Sequence, residues 1–114
     1  MAELTLQQIT EAGGSVTYSS AAGGGDTADN AGSTFLNIKN GGGSEVTVTI
    51  TAQVTSVATE IYGTLTKANA SIAIAGSGEA FIGPFKTGAF NNASGEIAIT
   101  YSGVTSVTIA ALYI

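Results

Sequence analysis

The sequence predicts an all-β fold, a two-layer antiparallel β-sandwich of jelly-roll type with a Gly/Ala-rich N-terminal arm. Three observations carry this. Apolar and polar residues alternate with period two over several short runs, the mark of strands with one buried face. Clusters of Gly, Asn and Ser separate the runs at fairly even spacing, as the turns of a sandwich do. The runs are rich in Val, Ile and Thr, whose branched side chains suit a pleated surface.

Residues 1–33 differ from the rest. Candidate strands at Leu4–Thr10 and Val16–Ser20 are separated by Gly13-Gly14 and followed by Ala21-Ala22-Gly23-Gly24-Gly25. So much Gly and Ala offers little to pack and much entropy to lose, which predicts an arm or a loosely held edge segment. The sandwich domain is expected over residues 34–114. Within it, Leu36 and Ile38 point one way and Asn37 and Lys39 the other. After Asn40-Gly41-Gly42-Gly43, residues Val46, Val48 and Ile50 share a face opposite three threonines, and a hairpin is expected there. Residues 53–69 fit a helical turn as well as a strand, but their frequent Thr favours a loop with short strand pieces.

Ser71–Ala75 alternates again and is expected to turn at Gly76-Ser77-Gly78 into Glu79–Phe85. Pro84, the single proline, has no N–H to donate, so that strand ends there or lies on a sheet edge. Residues 86–95 read as a Gly- and Asn-rich loop exposing Phe90. A last hairpin is expected from Glu96–Tyr101 through Ser102-Gly103 to Thr105–Ile114. In its final strand Val107, Ile109, Ala111 and Tyr113 form one face, while Ala110, Leu112 and Ile114 make the other apolar too. Such a strand is either central between two layers or half buried by another subunit.

Composition narrows the chemistry. The chain of 114 residues holds no His and no Cys, which removes Ser-His-Asp and Cys-His nucleophile systems, the common zinc sites, haem and iron–sulfur clusters. A glycosidase would need two carboxylates facing one cleft, but Glu45, Glu79 and Glu96 each begin a predicted strand beside a turn, where a charge blunts a sheet edge. Asp26, Asp29 and Asn30 offer oxygens to a hard cation but lack EF-hand spacing, and read better as an Asx-rich turn. Neither Gly41–Ser44 nor Gly76–Gly78 is followed by the Lys of a phosphate loop. No enzyme activity, metal or cofactor is therefore expected. Two glycosylation sequons, at Asn69 and Asn92, matter only in a secreted chain.

Three lysines and no arginine stand against eight carboxylates, a net charge of -5, so nucleic acid and anionic membranes are not expected as partners. The Met1-Ala2-Glu3-Leu4 start lacks signal-peptide character, and no apolar run approaches the ~20 residues of a membrane span. An unexported protein without a membrane anchor is expected. Charged residues are only 10% of the chain and mean hydropathy is +0.34, a balance that leaves apolar surface for neighbours to cover. The candidate interface residues are Phe85 and Phe90, flanking the flexible loop, and Ala110, Leu112 and Ile114 on the second face of the last strand. For the two phenylalanines, closing one end of the core is an equally good reading.

The stretches TFLNIKNGGGSEVTVTI (residues 34–50), EAFIGPF (79–85) and ITYSGVTSVTIAA (99–111) resemble small head proteins of tailed bacteriophages, the capsid decoration or cement proteins. The resemblance covers about the last two thirds of the chain and lies in strand and turn motifs. It implies a virion protein on the capsid exterior, assembled in the host cytoplasm, that binds the major capsid protein, commonly as a homotrimer, and stiffens the shell. The acidic balance suits the outer surface better than the DNA-facing one. The alternatives are a tail-tube or head-fibre subunit, or a carbohydrate-binding or adhesion module, which would be expected to carry Trp and has none.

Overall fold

A computed structural model of the chain describes residues 2–11, 13, 15–53, 56–59, 63–66 and 69–113, with side chains at all of these except 2, 56–59 and 63–66. The strands are β1 (Ala2–Leu4), β2 (Leu6–Gln8), β3 (Ser19–Ser20), β4 (Asp26–Asp29), β5 (Thr34–Asn40), β6 (Val46–Ile50), β7 (Ser56–Thr59), β8 (Gly63–Thr66), β9 (Ala70–Ile74), β10 (Glu79–Ile82), β11 (Glu96–Tyr101) and β12 (Val107–Tyr113). One helical turn, α1, spans Thr87–Phe90. Two mixed sheets pack into an all-β sandwich. Sheet A runs β1-β4-β11-β6-β9; sheet B runs β10-β5-β12-β2, with β3 also on β12. The β7–β8 pair stands as a separate two-stranded sheet within the stretch expected to hold short strand pieces.

Period-two alternation sets the core. In β6, Val46, Val48 and Ile50 are buried and the intervening threonines half-buried. Ile97 and Ile99 from sheet A meet Leu36, Ile38, Val107 and Ile109 from sheet B in one continuous apolar cluster. Such burial outside water is the main force holding two sheets face to face.

The connections differ from the expected hairpins. β5 lies in sheet B and β6 in sheet A; β9 lies in A and β10 in B; β11 lies in A and β12 in B. All three expected hairpins are corners between sheets. At two of these corners, β5 to β6 and β9 to β10, the buried Asn40 side chain ties the turns together. Its Nδ2 donates to the carbonyls of Ser44 (2.7 Å), Ile74 (3.1 Å) and Ala75 (3.3 Å), and its Oδ1 accepts from Gly42 N. The corners then bond to one another, through Ser77 N to Gly42 O (2.9 Å) and Gly41 N to Ser106 O (2.8 Å). A Cβ on Gly76 would come within 2.6 Å of the Gly43 carbonyl carbon, so this close stacking demands glycine. From β3 onward, setting aside the β7–β8 sheet, every step between successive strands crosses sheets except that from β6 to β9.

The N-terminal segment reaches both layers. β1 pairs parallel with β4 at the edge of sheet A, and after Thr5 the chain continues as β2, parallel to the edge of β12 in sheet B. Gln7 then holds the returning chain, donating from Nε2 to Thr17 O (2.7 Å) and accepting from Thr17 N (2.8 Å). β4 is an interior strand of sheet A, and its Asp26, Thr27 and Ala28 are buried.

Candidate interaction face

The outward side of sheet B is built by the residues that alternate with its core. On β5, Phe35, Asn37 and Lys39 face away from Leu36 and Ile38; on the neighbouring edge strand β10, Glu79 and Phe81 face away from Ala80 and Ile82. The register sets Lys39 beside Glu79 and Asn37 beside Phe81. Phe81 is 62% exposed, and its ring lies 6.4 Å from that of Phe35 at an interplanar angle of 43°. Lys39 Nζ lies 4.0 Å from Glu79 Oε2, both side chains about half exposed, and 4.3 Å from the centre of the Tyr18 ring. The Tyr18 hydroxyl donates to Asn37 Oδ1, and Asn37 Nδ2 donates to Ala80 O (3.2 Å). Asn37 is thus a buried polar group with both functions satisfied, and it pins Tyr18 onto the sheet. The result is an aromatic patch, Tyr18, Phe35 and Phe81, with one cation and one anion at its side.

The expected interface residues lie elsewhere. Phe85 and Phe90 are buried in the core cluster and meet edge to face at 5.6 Å. They close one end of the sandwich, and the loop expected to expose Phe90 instead turns it inward through α1. Asn30 and Asn91 hold that end together: Asn30 Nδ2 donates to Phe85 O (3.1 Å) and Asn91 Oδ1 (2.7 Å), and Asn91 Nδ2 donates back to Asn30 O (2.8 Å). Ala110 and Leu112 are 2% and 4% exposed, covered by this chain itself. Thr17 and Ser19 line a depression with Ala110, so the segment returning from β2 supplies part of the cover. Four of the five candidates therefore have no surface to offer a partner, and Ile114 lies outside the described residues. Phe81 is not among the expected interface residues, yet its exposure follows from the sequence: it shares the parity of Glu79 and opposes Ala80 and Ile82.

Asp26, Asp29 and Asn30 do not come together as one cation site. Asp26 is fully buried, Asp29 points outward, and Asn30 is used in the Asn91 bonds. Asp26 Oδ2 accepts from the Tyr101 hydroxyl (2.6 Å) and Ala22 N (3.2 Å). Burial, then the hydrogen bond to Asp26 and that group's charge, push the Tyr101 phenol well above the usual tyrosine range, which keeps it a donor.

On the outer side of sheet A, carboxylate oxygens of Glu3, Asp29 and Glu96 lie within 4.8 Å of one another. Asp29 and Glu96 are direct cross-strand partners, a like-charge placement that costs stability. A hydrogen bond with Glu3, partial burial, and the charges of Glu3 and Asp29 raise the Glu96 carboxyl above the usual carboxylate range, against a smaller opposing pull from the Thr27 hydroxyl. The rest of that face is small and hydroxylated, with Thr47, Thr49, Ser71 and Thr100 turned outward.

No protein-family model, curated protein or solved structure matches this chain.

Proposed function

We propose that this protein is a non-enzymatic structural component of a tailed-phage virion, which self-associates and binds the outer lattice of the capsid as a decoration or cement protein. The observation that carries the reading is the outer side of β5 and β10, where the exposed Phe81 lies beside the half-buried Phe35 and Tyr18, in a chain with few charges. An exposed aromatic centre with a polar rim is the composition of a protein contact surface. The strand order supports the jelly-roll reading, because β3-β12-β5-β10 and β4-β11-β6-β9 exchange the chain at every step but one. Jelly rolls recur in viral shells. The phage-like motifs at residues 34–50, 79–85 and 99–111 supply the virion context, as a resemblance.

A sugar-binding module would present coplanar rings as a stacking platform, and the 43° tilt between Phe35 and Phe81 does not favour that. The test is to mix purified protein with undecorated capsids and image them by electron microscopy. Ordered extra density at repeated lattice positions is the expected result; bare capsids at saturating protein would reject the capsid role.

A further inference from the structure

The uncovered patch has a charge arrangement that selects its occupant. Lys39 and Glu79 sit side by side on neighbouring strands, at the limit of an ion pair, each about half exposed. An exposed pair of this kind contributes little by itself. Next to it, Phe81 leaves most of its ring in water. A face that places one cation beside one anion matches its own image when a two-fold axis passes between them. An axis parallel to the strands and midway between β5 and β10 does this: it exchanges the two columns.

We propose that the outer face of β5 and β10 is the contact surface for a second copy of this chain, related by that two-fold axis. Lys39 of each copy then stands over Glu79 of the other, so one marginal pair within a chain becomes two between chains. Asn37, with the Tyr18 that it holds, stands over the other copy's Phe81, which removes that ring from water. Because β10 is the edge of sheet B, the covered half of each sheet, with β12 and the Tyr18 segment, passes beyond the other copy's edge instead of meeting it. Such an interface is isologous and closes at two copies, unlike the trimer that the phage resemblance implies.

This inference deepens the self-association in the proposed function, and its test needs no capsid: a dimer that leaves capsids bare keeps the contact and rejects the capsid role. Light scattering after size exclusion, over a dilution series, reads the mass of the intact chain. The expected result is two chains falling to one on dilution, with Phe81→Ser shifting the midpoint at least ~10-fold towards dissociation. Lys39→Glu and Glu79→Lys, each alone, bring like charges together and give the mass of one chain. Their equimolar mixture restores the mass of two, because each copy supplies what the other lacks. A pair acting only within one chain is not repaired by mixing. A wild-type mass of one or three chains, or a mixture that stays monomeric while circular dichroism shows both variants folded, would overturn the proposal.

Discussion

The two outer faces of the sandwich follow the same alternation and end with opposite surfaces. On sheet A the outward residues are Thr47, Thr49, Ser71 and Thr100, with the Glu3, Asp29 and Glu96 carboxylates at one end. Small hydroxylated side chains satisfy the strand and remain solvated. On sheet B the outward residues include Phe35, Asn37, Phe81, Ala110 and Leu112, and the chain itself covers only part of them: Asn37, Ala110 and Leu112 are buried, Phe81 is not. Period two therefore decides which residues leave the core, while their chemistry decides whether water or protein should meet them. The covered half of sheet B shows what its uncovered half lacks.

That contrast can be broken by substitution. Leu112→Ala should have the largest effect on stability, about 2–5 kcal/mol in chemical denaturation, because it empties a site already packed within one chain. A loss under 1 kcal/mol would mean that the β12 half is not packed at all. Phe81→Ser should leave the denaturation midpoint within a window of about 0.5 kcal/mol for the dissociated chain, yet weaken association by ~10-fold, equivalent to about 1.4 kcal/mol. Equal loss of folding and association would place Phe81 in the core instead.

Glu96→Gln sharpens the other side of the contrast. A carboxyl held above its ordinary value binds its proton more tightly when folded, so its contribution to stability is present below the unfolded value and is lost as pH rises through the raised folded one. The variant should therefore melt higher than wild type at pH 7, and the gain should fade as pH falls through the range in which the wild-type Glu96 carboxyl takes up its proton. A gain that is independent of pH would remove charge repulsion as its cause. Thr49→Ala, on the same face, should be the mildest, within about 0.5 kcal/mol and without effect on association.

Much of this was legible in the sequence. The alternation at Leu36 and Ile38, at Val46, Val48 and Ile50, and at Ile97 and Ile99 named the core residues correctly, and the doubly apolar Val107–Tyr113 marked a strand covered on both sides. The corners were not legible, because Gly and Asn serve a hairpin and a change of sheet equally well. What separates the two at Asn40 is a set of bonds to carbonyls of residues 74 and 75, far away in sequence. The buried Asp26 was hidden for the same reason, since its hydroxyl partner lies on Tyr101. The interaction face failed differently. An aromatic beside a Gly-rich loop can turn inward as Phe85 and Phe90 do, whereas the parity of β10 alone places Phe81 outward.

Amide hydrogen exchange at low and high protein concentration tests most directly the claim that the outer face of β5 and β10, and not that of sheet A, receives a neighbour. Peptides covering Glu79–Ile82 and Thr34–Asn40 should exchange more slowly as concentration rises, while those covering Val46–Ile50 and Glu96–Tyr101 stay unchanged. Protection that grows on the sheet A peptides, or on none, would contradict it.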